Sequence, residues 1–137
     1  VRDYDPSIPD VNIDANMIQQ TLLDVIKNAM QALEESDAKL PLIRIKTRVA
    51  RQQVVLGEKH PLCAVIHIFD NGPGIPKPLR DTLFYPMVTS KKSGSGLGLS
   101  IAQTLIQHHQ GKIELETRHG QTEFSIFLPI TKVRGEL

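Results

Sequence analysis

The sequence predicts an α+β fold, a two-layer α/β sandwich in which a mixed, mostly antiparallel sheet carries its helices on one face. Two stretches have apolar residues at helical spacing, four others have the pattern of strands, and the first residues are expected to form a short edge strand. They follow one another as strand, helix, strand, strand, helix, strand, strand. The 137 residues, 40% of them apolar and 23% charged, suffice for a single domain over residues 1–137 and are too few for two.

The N-terminal region is predicted to form a short edge strand and a turn, followed by a long helix. Pro6 and Pro9 interrupt residues 1–12, as is typical of an edge strand. Asp14 is expected to cap a helix over about residues 15–35. The apolar residues of this helix, spaced by three and four, are Ile18, Leu22, Val25, Ile26, Ala29 and Leu33.

Two strands are predicted at the centre of the chain. Residues 42–50 alternate apolar and charged side chains, whereas residues 63–69 form an almost continuous apolar run. Cys63, the single cysteine, lies in that run and is expected to be a reduced core thiol. Residues 51–62 would extend both strands as a hairpin with its tip at residues 56–59.

The C-terminal half is predicted to contain a polar lid, a second long helix and two closing strands. Residues 77–96 are rich in Gly, Ser and Pro and are expected to form a mobile lid with one short helix near residues 77–84. The closing strands are expected at residues 112–118 and 122–128. The second helix, about residues 97–109, is expected to bury Leu97, Ile101, Ala102, Leu105 and Ile106.

Charge and composition exclude several classes of protein. The net charge of +1 implies neither a nucleic-acid surface nor an anionic membrane as partner. No apolar stretch approaches the roughly 18 residues that a spanning helix needs. The five histidines lack the spacing of a metal site, so structural or solvated roles are expected. The chain begins with neither a signal peptide nor an initiator Met, so we expect it to be a piece of a longer protein. The single cysteine, expected to be reduced, favours the cytoplasm.

The first chemical feature is a pair of polar residues on the predicted first helix. Asp24 and Asn28 lie four residues apart, so their side chains project from one face. An Asn amide oxygen is a hard, neutral ligand suited to a Mg²⁺ that already carries phosphate oxygens and waters. Two solvated helix residues would show the same spacing, and the helix alone favours that simpler interpretation.

The second feature is the stretch Asp70-Asn71-Gly72-Pro73-Gly74, directly after the apolar strand. A carboxylate at a strand end, followed by glycines, offers a partly desolvated acceptor beside a backbone that a flat ring can approach closely. Adenine presents an exocyclic amine, and a charge-assisted hydrogen bond to it contributes roughly 1.5–3 kcal/mol. Asp-Asn-Gly is also a common turn, which is the favoured interpretation of this stretch by itself.

The third feature is a glycine run before the second long helix. Gly94, Gly96 and Gly98 leave backbone N–H groups available for one anion, and the helix that follows adds its positive end. Lys91 and Lys92 add local charge. A flexible linker fits poorly, because the glycines run straight into an amphipathic helix. No Gly-Lys-Ser or Gly-Lys-Thr occurs, so the predicted phosphate site is not a P-loop.

In this order and spacing, the motifs resemble those of the ATP-binding domain of histidine kinases, a superfamily shared with DNA gyrase, heat-shock chaperone ATPases and mismatch-repair ATPases. Residues 22–29 resemble the asparagine box of that family, and residues 83–87 resemble its F box. Its two glycine boxes correspond to residues 70–74 and 94–99, and its final Gly-x-Thr corresponds to residues 120–122. The resemblance implies catalytic roles for Asn28, Asp24 and Lys91 and makes Asn28 the metal ligand. The residues that it assigns to ATP and Mg²⁺ are Asn28, Asp70, Gly72, Gly74, Ile75, Lys91, Gly94, Gly96, Leu97, Gly98, Leu99 and Thr122.

Residues 3–9, 51–62 and 81–88 are more narrowly similar to nitrogen-regulation sensor kinases of the NtrB type. The resemblance implies three partners: a separate dimerisation domain with the phosphorylated histidine, an NtrC-type response regulator and a PII signal protein. It also implies that the full-length protein is a homodimer and that this fragment is a monomer. Asp24 departs from the usual Asn and stands where chaperone-type ATPases carry a carboxylate that activates water. An ATPase with Asp24 as general base therefore stays open, as does a non-enzymatic, nucleotide-gated module that binds PII or the regulator.

Overall fold

The computed structural model describes residues 1–36, 40–80, 98–118 and 120–130. Its elements confirm the predicted order and the α+β class. In chain order they are β1 (Arg2–Asp3), α1 (Ala15–Glu34), β2 (Ile43–Val55), β3 (Glu58–Asp70), α2 (Lys77–Arg80), α3 (Gly98–His108), β4 (Lys112–Arg118) and β5 (Gln121–Pro129). Within the described ranges, none of the helices combines the length and apolarity that crossing a membrane requires.

The sheet has the order β1-β2-β3-β5-β4. β1 pairs parallel to β2, and the other three ladders are antiparallel. The predicted hairpin between β2 and β3 is confirmed, and it turns at Leu56 and Gly57, whose φ angles are 51° and 82°. Positive φ at both turn residues matches the right-handed twist of the strands on either side.

The helix α1 begins as predicted and is tied to α3 at that point. The Asp14 carboxylate accepts the Met17 N–H at 3.1 Å, which caps the helix. The Asp14 N–H donates to His109 Nε2 at 2.9 Å, while His109 Nδ1 lies 2.8 Å from the Leu105 carbonyl oxygen. His109 is therefore a structural residue with its proton on Nδ1, as predicted for this histidine.

The main core lies between α1, α3 and one face of the sheet, which confirms the two-layer prediction. Its buried residues are Ile18, Val25, Ile68, Leu99, Ala102, Ile106, Phe124, Ile126 and Leu128. The expectation that Ile101 is buried was wrong, because its side chain is 45% exposed, whereas that of Leu99 is 8% exposed. The buried face of α3 runs through residues 99, 102 and 106, so it is rotated from the predicted face. Leu97 lies outside the described residues.

A smaller cluster covers the opposite face of the sheet. Cys63 and Val65 of β3 pack there with Phe127 of β5 and with Val55 at the end of β2. Cys63 is fully buried, and burial raises the pKa of its thiol. The expectation of a core thiol is thus confirmed.

Candidate functional site

A cavity of about 430 Å³ opens where α1, the end of β3 and the β4–β5 hairpin meet. Its lining brings together residues that are far apart in the sequence. Those that the sequence predicted are Asn28, Asp70, Gly74, Ile75 and Thr122. Those that it did not predict include Ala32, Glu35, Lys77, Arg80 and Arg118.

Asp70 is the last residue of β3 and lies at the floor of the cavity. Its side chain is 1% exposed, and in the β3–β5 ladder it pairs with Thr122, which is 3% exposed. The Gly72 N–H donates to Asp70 Oδ1 at 2.9 Å. A Cβ atom at position 72 would lie 2.9 Å from the same oxygen, so a larger residue there would displace the carboxylate. Gly72 acts by leaving room for Asp70, and it is not itself a lining residue.

Asn71 holds the neighbouring loop, a role that the sequence did not predict. Its Oδ1 accepts the Leu42 N–H at 2.8 Å, and its Nδ2 donates to the Leu40 carbonyl at 2.8 Å. The Asn71 N–H in turn donates to the Leu42 carbonyl at 3.2 Å. The Asp-Asn-Gly stretch therefore joins a cavity-lining carboxylate to a structural amide that ties down the chain before β2.

Gly74 and Ile75 lie against β4 and form one wall of the cavity. Gly74 has φ of 90°, and a Cβ atom there would lie 2.6 Å from the Arg118 carbonyl oxygen. The Ile75 N–H donates to Thr117 Oγ1 at 2.9 Å, and the Ile75 carbonyl accepts Arg80 Nε at 3.1 Å. Only glycine combines this backbone conformation with such a close approach.

The two polar residues of α1 differ in their positions. Asn28 lines the cavity, whereas Asp24, one turn earlier, is not among the described residues of the lining. Asp24 Oδ1 accepts Gln20 Nε2 at 2.9 Å. Its Oδ2 is buried and has no hydrogen-bond partner among the described residues. Burial raises the pKa of the Asp24 carboxyl, and the Gln20 hydrogen bond opposes that shift in part.

The predicted phosphate loop is described only at its end. The helix α3 begins at Gly98, and the Leu99 side chain is in the core, so only the backbone of Leu99 remains for a ligand. Residues 81–97 lie outside the described residues, and they include most of the predicted lid, the F box, Lys91, Gly94, Gly96 and Leu97. The roles of these residues stay predictions.

Three cationic residues that the sequence did not predict lie at the cavity: Lys77, Arg80 and Arg118, all exposed. Arg118 precedes a turn and carries no local signal of function, because its position follows from the pairing of β4 with β5. Ala32 and Glu35 could have been found, because they follow Asn28 by four and seven residues on the same helical face.

Asn28 offers the cavity an amide oxygen of the kind that binds a metal arriving with a phosphorylated ligand. The described residues contain no group of three His, Cys, Asp or Glu side chains that could hold a metal by themselves. A hard cation prefers oxygen ligands and can complete its shell with phosphate oxygens and waters. A single amide oxygen at the cavity wall is therefore compatible with a cation whose other ligands come from a bound phosphorylated molecule and from water.

Comparison with known proteins identifies the family. The sequence profile described as "Histidine kinase-, DNA gyrase B-, and HSP90-like ATPase" matches residues 13–132. The sensory histidine kinase/phosphatase NtrB of Salmonella typhimurium is 51% identical over 132 residues, which cover 96% of this chain. NtrB of Rhizobium meliloti is 36% identical over 94% of the chain. The chain spans only 37% and 34% of the lengths of these two relatives.

Solved structures agree with this assignment. The nucleotide-free catalytic domain of histidine kinase ThkA matches with a TM-score of 0.73 at 28% identity, over 95% of this chain and 77% of that one. The mycobacterial sensor histidine kinase MprB, at 24% identity and a TM-score of 0.64, shares the fold over 94% of this chain and 84% of its own. The chain therefore belongs to the histidine kinase-, DNA gyrase B- and HSP90-like ATPase family, and its fold is that of histidine kinase catalytic domains.

Proposed function

We propose that this chain is the ATP-binding catalytic domain of an NtrB-type sensor histidine kinase. It binds Mg·ATP in the cavity and transfers the γ-phosphoryl group to a histidine on a separate dimerisation domain. The observation that carries the proposal is the buried pair of Asp70 and Thr122 at the floor of a cavity whose wall contains Asn28.

The floor of the cavity suits adenine. The Asp70 carboxylate accepts the exocyclic amine, and the Thr122 hydroxyl donates to the neighbouring ring nitrogen. Both side chains are nearly inaccessible to water, so each hydrogen bond is made in surroundings of low dielectric constant, where it is electrostatically stronger than in water. The backbone of residues 73–76, which Gly74 brings into close contact with the Arg118 carbonyl, forms one wall of the cavity beside the ring.

The phosphates extend from the adenine toward Asn28 and the N-terminus of α3. Asn28 would hold Mg²⁺ through its amide oxygen, and the metal would supply neutralisation of part of the negative charge of the phosphates. Backbone N–H groups of residues 96–99, together with Lys91, bind the phosphate tail at the positive end of the helix. Phosphoryl transfer requires mainly positioning and charge neutralisation, so these residues supply what the chain itself contributes to the reaction.

The partners follow from the same proposal. The accepting histidine belongs to the dimerisation domain of the longer protein, which is a cytoplasmic homodimer, while this domain by itself is monomeric. The phosphoryl group passes on to an NtrC-type response regulator, and a PII signal protein controls the kinase in nitrogen regulation. The names of the NtrB relatives, sensory histidine kinases/phosphatases, support the kinase and its response regulator.

An ATPase is the second candidate, and Asp24 favours it. Its buried Oδ2, with no hydrogen-bond partner among the described residues, and the raised pKa of its carboxyl are properties of a general base. In this candidate Asp24 removes a proton from the water that attacks the γ-phosphate, which requires the triphosphate to extend one turn of α1 beyond the described lining of the cavity. Release of phosphate by the isolated domain, lost in Asp24→Asn, would establish the ATPase.

The deciding experiment combines binding with transfer. Titration calorimetry with ATP and Mg²⁺ is expected to show saturable binding to the isolated domain. Addition of a separate dimerisation domain and labelled ATP is expected to give acid-labile phosphate on that domain. A dimerisation domain with its acceptor histidine replaced by Gln serves as control. Absence of any binding would refute the whole proposal, whereas binding without transfer would refute the kinase activity alone.

A further inference from the structure

We infer that Thr117 is a positioning residue for adenine recognition, because its hydroxyl both holds the Ile75 peptide and orients the Thr122 hydroxyl toward the cavity. The inference rests on the proposed function only as far as the nucleotide is concerned. The contacts of Thr117 with Ile75 and Thr122 are properties of the fold, and they can be tested without any ligand.

Thr117 Oγ1 lies at the centre of three polar contacts. It accepts the Ile75 N–H at 2.9 Å, lies 3.1 Å from Thr122 Oγ1 and lies 3.4 Å from the Gln121 carbonyl oxygen. Residues 117 and 122 are paired in the β4–β5 ladder. One side chain on β4 therefore touches the segment that follows Asp70 and the residue that faces Asp70 across the sheet.

The backbone N–H of Ile75 limits the directions that these hydrogen bonds can take. An N–H can only donate, so Ile75 occupies an acceptor position of Thr117. The Thr117 hydroxyl hydrogen then has two acceptors within reach, Thr122 Oγ1 at 3.1 Å and the Gln121 carbonyl at the longer 3.4 Å. The Thr122 contact is the shorter of the two, and when Thr117 donates to it, the Thr122 hydrogen points away from Thr117, toward the side where Thr122 lines the cavity beside Asp70.

A donating Thr122 beside an accepting Asp70 distinguishes the purines. Adenine presents an amine donor next to a ring-nitrogen acceptor, which complements this pair. Guanine presents a carbonyl acceptor next to a ring N–H donor. Its acceptor would face the Asp70 acceptor, and its donor would face the Thr122 donor. A buried polar group left without a partner is costly, and the wrong base is rejected for that reason. Thr117 thus contributes to selectivity without touching the nucleotide.

The same hydroxyl fixes the wall of the cavity. The Ile75 peptide is held at its N–H by Thr117 and at its carbonyl by Arg80 Nε. Gly74, the residue before Ile75, packs against the Arg118 carbonyl. Removal of the Thr117 hydroxyl takes away the partner that β4 provides for the Ile75 N–H, and the wall is then held from one side only.

The test compares Thr117→Val, which removes the hydroxyl and keeps the shape, with Thr117→Ser, which keeps the hydroxyl. The matched control is Thr47→Val, because Thr47 Oγ1 also accepts a backbone N–H, that of Asp5, at 2.8 Å, and it lies on β2 outside the cavity. The dissociation constants for ADP and GDP with Mg²⁺ are measured by calorimetry. Hydrogen exchange of the Ile75 amide is followed by NMR without nucleotide.

We expect Thr117→Val to bind ADP roughly tenfold more weakly, equivalent to about 1.4 kcal/mol, and to lose part of its preference for ADP over GDP. Thr117→Ser and Thr47→Val retain both the affinity and the preference. The Ile75 amide exchanges faster in Thr117→Val only. An unchanged ADP preference in Thr117→Val, or an equal loss in Thr47→Val, would overturn the orienting role.

The ligand-free measurement separates this inference from the proposed function. If the unmodified domain binds neither nucleotide, the proposed function fails. Faster exchange of the Ile75 amide in Thr117→Val then still supports the positioning of the wall. Unchanged exchange overturns the inference whatever the nucleotide does.

Discussion

Asp70 and Thr122 lie directly opposite each other at the last pair of the β3–β5 ladder, and both side chains are buried. Side chains of directly opposite residues in antiparallel strands have Cβ atoms about 4.5–5.5 Å apart. A carboxylate acceptor and a hydroxyl therefore adjoin one another at the floor of the cavity, although 51 residues separate them in the sequence.

Asp70→Asn is expected to weaken nucleotide binding about 10- to 100-fold, because a charge-assisted hydrogen bond contributes roughly 1.5–3 kcal/mol. Asn retains an oxygen that can accept the Gly72 N–H, so the turn is preserved. Binding is measured with a fluorescent ATP analogue, and Asp3→Asn, at a surface carboxylate paired with Arg48, serves as control. Unchanged affinity in Asp70→Asn would contradict the adenine role.

Asn28→Ala is expected to abolish the enhancement of ATP binding by Mg²⁺ and to reduce phosphoryl transfer at least tenfold, a change of about 1.4 kcal/mol. The physical reason is the loss of an oxygen ligand at the cavity wall. Titrations with Mg²⁺ and with EDTA measure the effect. Asn16→Ala, at an exposed position of the same helix, is the matched control. A full Mg²⁺ enhancement in Asn28→Ala would rule out this ligand.

Gly74→Ala is expected to lower the free energy of unfolding more than Gly57→Ala does. Both glycines have positive φ, 90° and 82°, so each substitution introduces about 1–2 kcal/mol of backbone strain. A Cβ at position 74 also meets the Arg118 carbonyl oxygen at 2.6 Å, which adds roughly 1–3 kcal/mol, whereas position 57 is open. Urea unfolding measures both, and equal losses would show that the close approach is unimportant.

Asn71→Ala is expected to lower the free energy of unfolding by about 1–3 kcal/mol, because the Leu42 N–H and Leu40 carbonyl lose their side-chain partner. Nucleotide affinity should fall much less than in Asp70→Asn, since Asn71 does not line the cavity. Urea unfolding and nucleotide titration are compared in the same variant. Asn12→Ala, at an exposed position, controls for loss of an amide side chain. A large loss of affinity at unchanged stability would reverse this assignment.

Asp24→Asn is expected to stabilise the fold at neutral pH. Burial raises the folded-state pKa of Asp24 above its unfolded value, so the ionised form opposes folding above that raised pKa. This penalty diminishes as pH falls through the folded pKa, and it is absent below the unfolded value of about 3.8. Urea midpoints at pH 7 and near pH 3.5 should show a gain at pH 7 only. The same gain at both values would exclude a titrating cause.

Local sequence pattern predicted the helices and strands well, because each depends on neighbours within a few residues. Asp14 caps α1 where expected, and the hairpin turns at Leu56 and Gly57. The phase of α3 was predicted less well, since Ile101 and Leu99 both fit an apolar stripe. Which of the two is buried depends on how α3 packs against α1 and the sheet.

By itself the sequence determined the order of the elements, the position of Asp70 at a strand end and the motifs that identify the family. These depend on local spacing, which a single chain displays directly. Only the tertiary structure decided that Thr117 binds the Ile75 peptide, that Asn71 holds the loop before β2, and that Arg118 lies at the cavity. Such contacts join residues that become neighbours only through strand register and the close packing of a glycine, and no local pattern encodes them.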